Sequence, residues 1–157
     1  MIKILFVCLG NICRSPMAEF IFKDMVKKCG LEDKFYIKSA ATSFEEEGNG
    51  LYYGAKDKLD EKGISYSNHK ARRITRVDYS RFDYIIGMEE RNINNIKRIV
   101  GEDDERKIYR LLDFSDNPRD ISDPWYTGNF EIAYNDIVEG LECFFNYLNE
   151  KEKINEN

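Results

Sequence analysis

The run Ile2-Lys3-Ile4-Leu5-Phe6-Val7-Cys8 is apolar everywhere except Lys3, and no other stretch narrows the possible folds as much. A strand apolar on both faces of its pleat must be covered on both sides, as the inner strands of a parallel sheet are. The period then changes. Over residues 16–29, Phe20, Ile21, Met25 and Val26 take one side of a helix, Glu19, Lys23, Asp24, Lys27 and Lys28 take the rest, and Gly30 ends it. The alternation repeats, with strands near Phe35–Ala40, Tyr84–Met88 and Ile108–Leu112. Helices fall near Leu51–Lys62, stopped by Gly63, near Glu90–Val100 and near Phe130–Leu148. The last is marked by Phe130, Ala133, Ile137, Leu141, Phe144, Phe145 and Leu148 at helical spacing. This pattern predicts a three-layer α/β fold, doubly wound about a four-stranded parallel sheet. One domain over 1–150 and a polar, frayed tail over 151–157 are expected.

A chain of 157 residues is long enough to bury a real core. Its net charge of −5 offers no general field for nucleic acid, so an anionic ligand needs a local site. The longest apolar stretch is too short for a bilayer, and Met1-Ile2-Lys3 leads into a strand rather than a signal peptide. Four cysteines at irregular spacing do not make a disulfide scaffold. A cytoplasmic, monomeric protein with reduced thiols is expected, without membrane or nucleic-acid partners.

In doubly wound sheets the loop after the first strand lies where ligands bind. Here it reads Cys8-Leu9-Gly10-Asn11-Ile12-Cys13-Arg14-Ser15-Pro16. A Cys and an Arg six apart would arise by chance in roughly one such chain in four, so the context carries the reading. Gly10 and Asn11 tolerate positive φ, which lets successive N–H groups turn inward as an anion nest. Pro16 suits the first helical position, and a helix N-terminus favours negative charge. Arg14 adds a planar fork for two phosphate oxygens. The same surroundings favour Cys8 as a thiolate nucleophile facing the held phosphate. Ser15 can hydrogen-bond that thiolate or cap the helix, and the side-chain amide of Asn11 can pin the loop. Cys13, in the same loop, could trap an oxidised Cys8 as a disulfide, a redox switch.

A thiolate mechanism also needs an acid for the departing oxygen and a base for water. Asp123, in Ser122-Asp123-Pro124-Trp125-Tyr126, lies in the loop before the last helix. A proline-stiffened Asp123 over the phosphate, with Trp125 or Tyr126 at the entrance, meets that need. An isolated Asp-Pro is otherwise read as a turn.

Cys8 to Ser15, His69-Lys70-Ala71-Arg72, the "FDYIIGMEERN" of residues 82–92 and Asp123-Pro124 together resemble the low-molecular-weight protein tyrosine phosphatase family, over nearly the whole chain and in order. The resemblance implies the flavodoxin-like phosphotyrosine phosphatase I fold and hydrolysis of phosphotyrosine proteins or small aryl phosphates to inorganic phosphate, without cofactor or metal. It implies Cys8 as nucleophile, Arg14 as phosphate and transition-state ligand, and Asp123 as acid and then base. Ser15 supports the thiolate. Asn11 and His69 brace the loop, and Leu9, Gly10, Ile12 and Cys13 complete it. Two positions depart from the family: Glu89, the expected partner of His69, stands where relatives often carry aspartate, and Phe44 stands at a rim position where they often carry tryptophan.

Rival functions are separable by residue. An arsenate reductase of the same fold needs relay cysteines near residues 80–90, and Cys29 and Cys143 lie far from that segment. By resemblance, a protein arginine phosphatase tends to carry threonine where Ile12 stands. A silent phosphate-binding module would lack Cys8 or Asp123. One histidine without a Cys-x-x-Cys pair argues against a metal enzyme, and the missing Gly-Lys-Ser/Thr loop against an NTPase.

Overall fold

The computed structural model describes residues 1–154. Four parallel strands, β1 (Ile2–Cys8), β2 (Phe35–Ala41), β3 (Tyr84–Gly87) and β4 (Ile108–Arg110), form one sheet in the order β2-β1-β3-β4. The apolar first strand lies inside the sheet, as its composition requires. Its alternate side chains serve two cores. Ile4, Phe6 and Cys8 pack toward α1 (Arg14–Lys28) and the long α6 (Phe130–Glu152), beside α2 (Tyr53–Glu61). Leu5 and Val7 pack on the other face with Ile93, Ile96 and Val100 of α4 (Glu90–Val100). The chain leaves β1 for β2 on one side and reaches β3 on the other, so strand order reverses at β1. The loops after β1 and β3 therefore open into one crevice.

Several boundaries differ from the sequence reading, each for a local reason. Helix α1 begins at Arg14, so Pro16 is its third residue; the first-turn N–H groups have no intrahelical partner in any case, and proline is tolerated there. The strand expected over Ile108–Leu112 stops at Arg110, where Asp113 accepts from Arg110 N at 3.1 Å and closes a 3₁₀ turn over Leu111–Phe114. Two one-turn helices, α3 (Asp78–Arg81) and α5 (Pro124–Thr127), carry too little periodicity to be read. Helix α6 continues past Leu148 to Glu152, whose carboxylate accepts from Tyr84 Oη at 2.9 Å, and Ile154 is buried, so residues 151–154 are not frayed. The last part of the expected tail, residues 155–157, lies outside the described residues. At Gly140 a side chain would put Cβ 2.6 Å from Leu111 Cγ, so glycine there lets α6 close on the 3₁₀ turn. No helix among the described residues is long and apolar enough to cross a membrane.

Candidate active site

Between the end of β1 and the start of α1 the backbone must reverse within five residues. Asn11 makes that reversal at φ +58°, and not Gly10, although both tolerate the conformation. Glycine at position 10 serves packing instead, since a Cβ there would sit 3.3 Å from Glu46 Cγ. The turn aims donors at the Cys8 sulfur. Asn11 N and Ser15 N point at Sγ from 3.3 and 3.4 Å, and Ser15 Oγ lies 3.0 Å away. Ser15 Oγ thus sits between the sulfur and the Ala40 carbonyl, 3.4 Å away, and does not cap α1, whose N-cap Cys13 makes no side-chain cap bond.

Asn11 is the keystone of the loop. Its amide nitrogen donates to Ser15 Oγ at 2.8 Å and Ser39 Oγ at 2.9 Å, and its Oδ1 accepts from Arg72 N at 3.2 Å. His69 Nε2 lies 2.6 Å from the Asn11 carbonyl; because a carbonyl only accepts, Nε2 carries the proton. The bracing continues outward. Ser39 donates to the buried Glu19 at 2.6 Å, which pairs with Lys23, and Arg72 is held by the buried Asp78 through bonds of 3.0 and 3.1 Å. By sequence Glu19 belongs to the polar face of α1, and neither it nor Ser39 nor Asp78 carries a motif that would mark it as buried.

Arg14 is 1% exposed, and its guanidinium is held on several sides. Nη1 donates to Ile121 O at 2.8 Å and lies 3.4 Å from Glu89, while Nη2 lies 3.3 Å from Asp123 Oδ2. Glu89 is thus a partner of Arg14, correcting the expectation that it pairs with His69, whose ring instead meets the Asn11 carbonyl. The cause is positional: Glu89 is the N-cap residue of α4 after β3, on the Arg14 side of the crevice.

Asp123 caps α5 by accepting from Trp125 N at 3.0 Å, with Pro124 at the first helical position and Gly128 closing the turn at φ +72°. The cap leaves Oδ2 directed at Arg14. Asp120 is engaged elsewhere, by Glu90 N and Arg110.

Cys8, Arg14 and Asp123 share one pocket of about 110 Å³. Leu9, Gly10, Ile12 and Cys13 form its floor and near wall, Trp125 and Tyr126 the far lip, and Glu45 and Glu46 the remaining edge. Phe44 does not line it. Successive turns, Glu47 N to Phe44 O at 3.1 Å and Asn49 N to Glu46 O at 2.9 Å, swing its ring away to lie 4.4 Å from the Arg73 guanidinium, and the two glutamates take its place. Cys13 is buried; burial first, then the neighbouring Cys8 and Asp123, pushes its thiol well above the usual range, so it stays protonated. No cluster of His, Cys, Asp and Glu able to hold a metal occurs among the described residues. Cys29 lies at the C-cap of α1 and Cys143 on α6, outside the pocket.

Residues 3–154 match the family model described as low molecular weight phosphotyrosine protein phosphatase. The chain is 40% identical over 156 residues to the low molecular weight protein-tyrosine-phosphatase YfkJ of Bacillus subtilis, covering 98% of this chain and 100% of that one. A crystal structure of YfkJ matches with a TM-score of 0.93 at 41% identity, over 96% of each chain. The low molecular weight phosphotyrosine protein phosphatase of Gallus gallus is 42% identical over 149 residues, 90% of this chain and 92% of that one. The structure of a Drosophila arginine phosphatase is also similar, with a TM-score of 0.85 at 32% identity over 93% of this chain and 97% of that one. The chain belongs to the low molecular weight phosphotyrosine protein phosphatase family.

Proposed function

We propose that the protein hydrolyses aryl phosphate monoesters, phosphotyrosine in proteins above all, through a cysteinyl-phosphate intermediate. The observation that supports this most is the convergence of Cys8 Sγ, the Arg14 guanidinium and Asp123 Oδ2 on one small pocket at the head of a helix. The phosphate dianion docks on the loop N–H groups and the fork of Arg14, which Glu89 and the Ile121 carbonyl keep oriented. Cys8 Sγ attacks phosphorus while the bond to the phenolic oxygen breaks. The Asp123 carboxyl gives its proton to that oxygen, so the phenol leaves neutral. Water then attacks the phosphocysteine from the vacated side. Asp123 takes its proton, the P–S bond breaks, inorganic phosphate departs, and the Ser15 hydroxyl steadies the returning thiolate. The walls made by Leu9, Ile12, Trp125 and Tyr126 suit a flat ring. The cytoplasm, where thiols stay reduced, is a compartment that suits this nucleophile.

Rapid acid quenching of the enzyme with phosphotyrosine peptide should trap one phosphate per chain on Cys8. Phosphoserine and phosphoarginine peptides at equal concentration should be hydrolysed at least tenfold more slowly. A chain that releases phosphate with none bound to cysteine would refute the covalent route, and a preference for phosphoarginine would refute the substrate assignment.

A further inference from the structure

Behind the phosphate loop, the outer edge of β2 runs along a groove of about 960 Å³, far larger than the pocket over Cys8. Four basic residues on its walls, Lys3, Lys38, Lys70 and Arg81, have no ion-pair partner among the described residues. The carboxylates in the lining, Glu19 and Asp78, are buried and already paired with Lys23 and Arg72. In a chain of net charge −5 this is a concentrated cationic surface.

The floor is an open sheet edge. Ala41 directs its backbone outward, where Ala41 N donates to Arg72 O and Ile74 N donates to Ala41 O, both at 2.7 Å. Backbone direction alternates along a strand, so Ile37 and Ser39 point their N–H and C=O groups the same way. The segment 72–74 pairs only at Ala41, and beyond it β2 has no neighbour other than β1. Two environments flank this edge. One side holds the cations without an ion pair, Lys38 lying over the Tyr36 ring at 5.4 Å and Tyr36 stacked on Phe82; the other is a depression of about 450 Å³ lined partly by Phe20, Phe35, Ile37 and Tyr66.

We propose that this edge is a docking site for an extended acidic segment of a partner protein, which adds to β2 as a fifth strand. Main-chain pairing supplies affinity, and the period of 2 sends alternate side chains of the guest to the two flanks. Acidic residues meet Lys3, Lys38 and Arg81, and the intervening apolar residues meet Phe35 and Ile37. A second copy of this chain is disfavoured as the guest, because a symmetric pairing of β2 with β2 would bring Lys38 toward Lys38. The groove also touches the active site from behind, since Ser39, His69 and Arg72 line it and all three hydrogen-bond Asn11.

The test uses the whole chain and a fluorescein-labelled, end-blocked decapeptide alternating Glu and Val, followed by anisotropy. Saturable binding is expected, weakened at least tenfold by Lys38→Glu, an exposed change away from Cys8. A peptide of the same sequence N-methylated at alternate residues keeps its charge and loses half its donors; it too should bind at least tenfold more weakly. Undiminished binding of the methylated peptide would reduce the groove to a general anion patch and overturn strand addition. Absence of binding by the parent peptide, indifference to Lys38→Glu, or competitive displacement by inorganic phosphate would each overturn the proposal as well. Failure here leaves the cysteinyl-phosphate reading untouched, because no readout in this test depends on turnover.

Discussion

Two loops meet over the same pocket and are built in opposite ways. In the loop from Cys8 to Ser15, Asn11 and Ser15 are wholly buried, Arg14 is 1% exposed, and Asn11 alone makes five polar contacts. In the loop around Asp123, Trp125 is 51% and Tyr126 70% exposed, and one turn of helix with one side-chain cap holds the backbone. A surface that binds a tetrahedral dianion needs its donors fixed before the ligand arrives. A surface that admits a substrate and releases a product must not be locked. The difference predicts that changes in the first loop cost chemistry and stability together, while changes in the second cost mainly chemistry.

The largest effects come from the reacting groups, one in each loop. Cys8→Ser should lower turnover of nitrophenyl phosphate by about 10⁴-fold or more, as removal of a nucleophile does, with an unchanged far-ultraviolet circular dichroism spectrum. Substantial turnover by that variant would remove thiol catalysis. Asp123→Ala should cost about 10²- to 10⁴-fold, the usual range for a positioned acid. The loss should be greater for phosphotyrosine than for nitrophenyl phosphate, whose leaving group needs less help. Equal losses would place the acid elsewhere. Asp123→Ala also removes the α5 cap, worth about 1 kcal/mol, and one of two carboxylates on Arg14, so its thermal midpoint should fall less than that of Asn11→Ala; an equal fall would break the contrast between the loops.

Asn11→Ala tests the other half of that contrast. It removes three side-chain hydrogen bonds at about 1 kcal/mol each and leaves alanine in a left-handed conformation costing roughly 1–2 kcal/mol. Allowing for relaxation, a loss of about 2–4 kcal/mol is expected from urea unfolding midpoints, with reduced kcat in the surviving folded fraction. The comparison change Trp125→Ala loses one edge-to-face contact with Tyr52 and should cost no more than about 0.5–1.5 kcal/mol.

The contrast also explains what could be read from sequence. The phosphate loop is contiguous, so Cys8, Asn11, Arg14 and Ser15 declare themselves through local chemistry, and the apolar first strand places them at the crevice. The braces are not contiguous. Ser39 of β2 and Arg72 of the segment before α3 reach the loop, backed by Glu19 of α1 and Asp78 of α3, and nothing local separates a buried Glu19 on a helix from a solvated one. The sequence marks Glu89 but not its partner, because which neighbour a side chain meets across a crevice depends on the strand order. Phe44 fails for a finer reason. A turn of a few residues decides whether it or Glu45 faces the pocket, and that choice depends on backbone bonds no composition rule resolves.

A smaller effect should separate the walls of the pocket from its floor. Ile12 lines the pocket and packs on Ala71 and Cys13, so it offers an approaching guanidinium no acceptor. An unpaired buried donor costs about 1–3 kcal/mol. Ile12→Thr should therefore shift the ratio of kcat/KM values toward phosphoarginine by about tenfold while nitrophenyl phosphate turnover changes little. An unchanged ratio would move selectivity to the exposed loop, to Trp125 and Tyr126.

The smallest effect concerns Glu45 and Glu46, which face Asp123 across the pocket mouth and bring its edge to three carboxylates around one arginine. Their field acts on whatever flanks the phosphotyrosine, not on the phosphate, which is already bound by Arg14 and the loop. Peptides with lysine beside the phosphotyrosine should thus have a higher kcat/KM than those with glutamate. The carboxylates are partly solvated, so each is worth about 0.2–1 kcal/mol, or roughly 1.5- to fivefold. Glu46→Gln is the cleaner probe, because a glutamine oxygen can still accept the 2.7 Å bond from Asn49 Nδ2 that holds the turn. It should reduce the lysine-to-glutamate preference without altering nitrophenyl phosphate turnover, and Glu45→Gln should reduce it again. At 1 M salt, where the screening length is about 3 Å, wild type and both variants should converge. A preference that survives high salt would mean that shape, and not charge, sets selection at this lip.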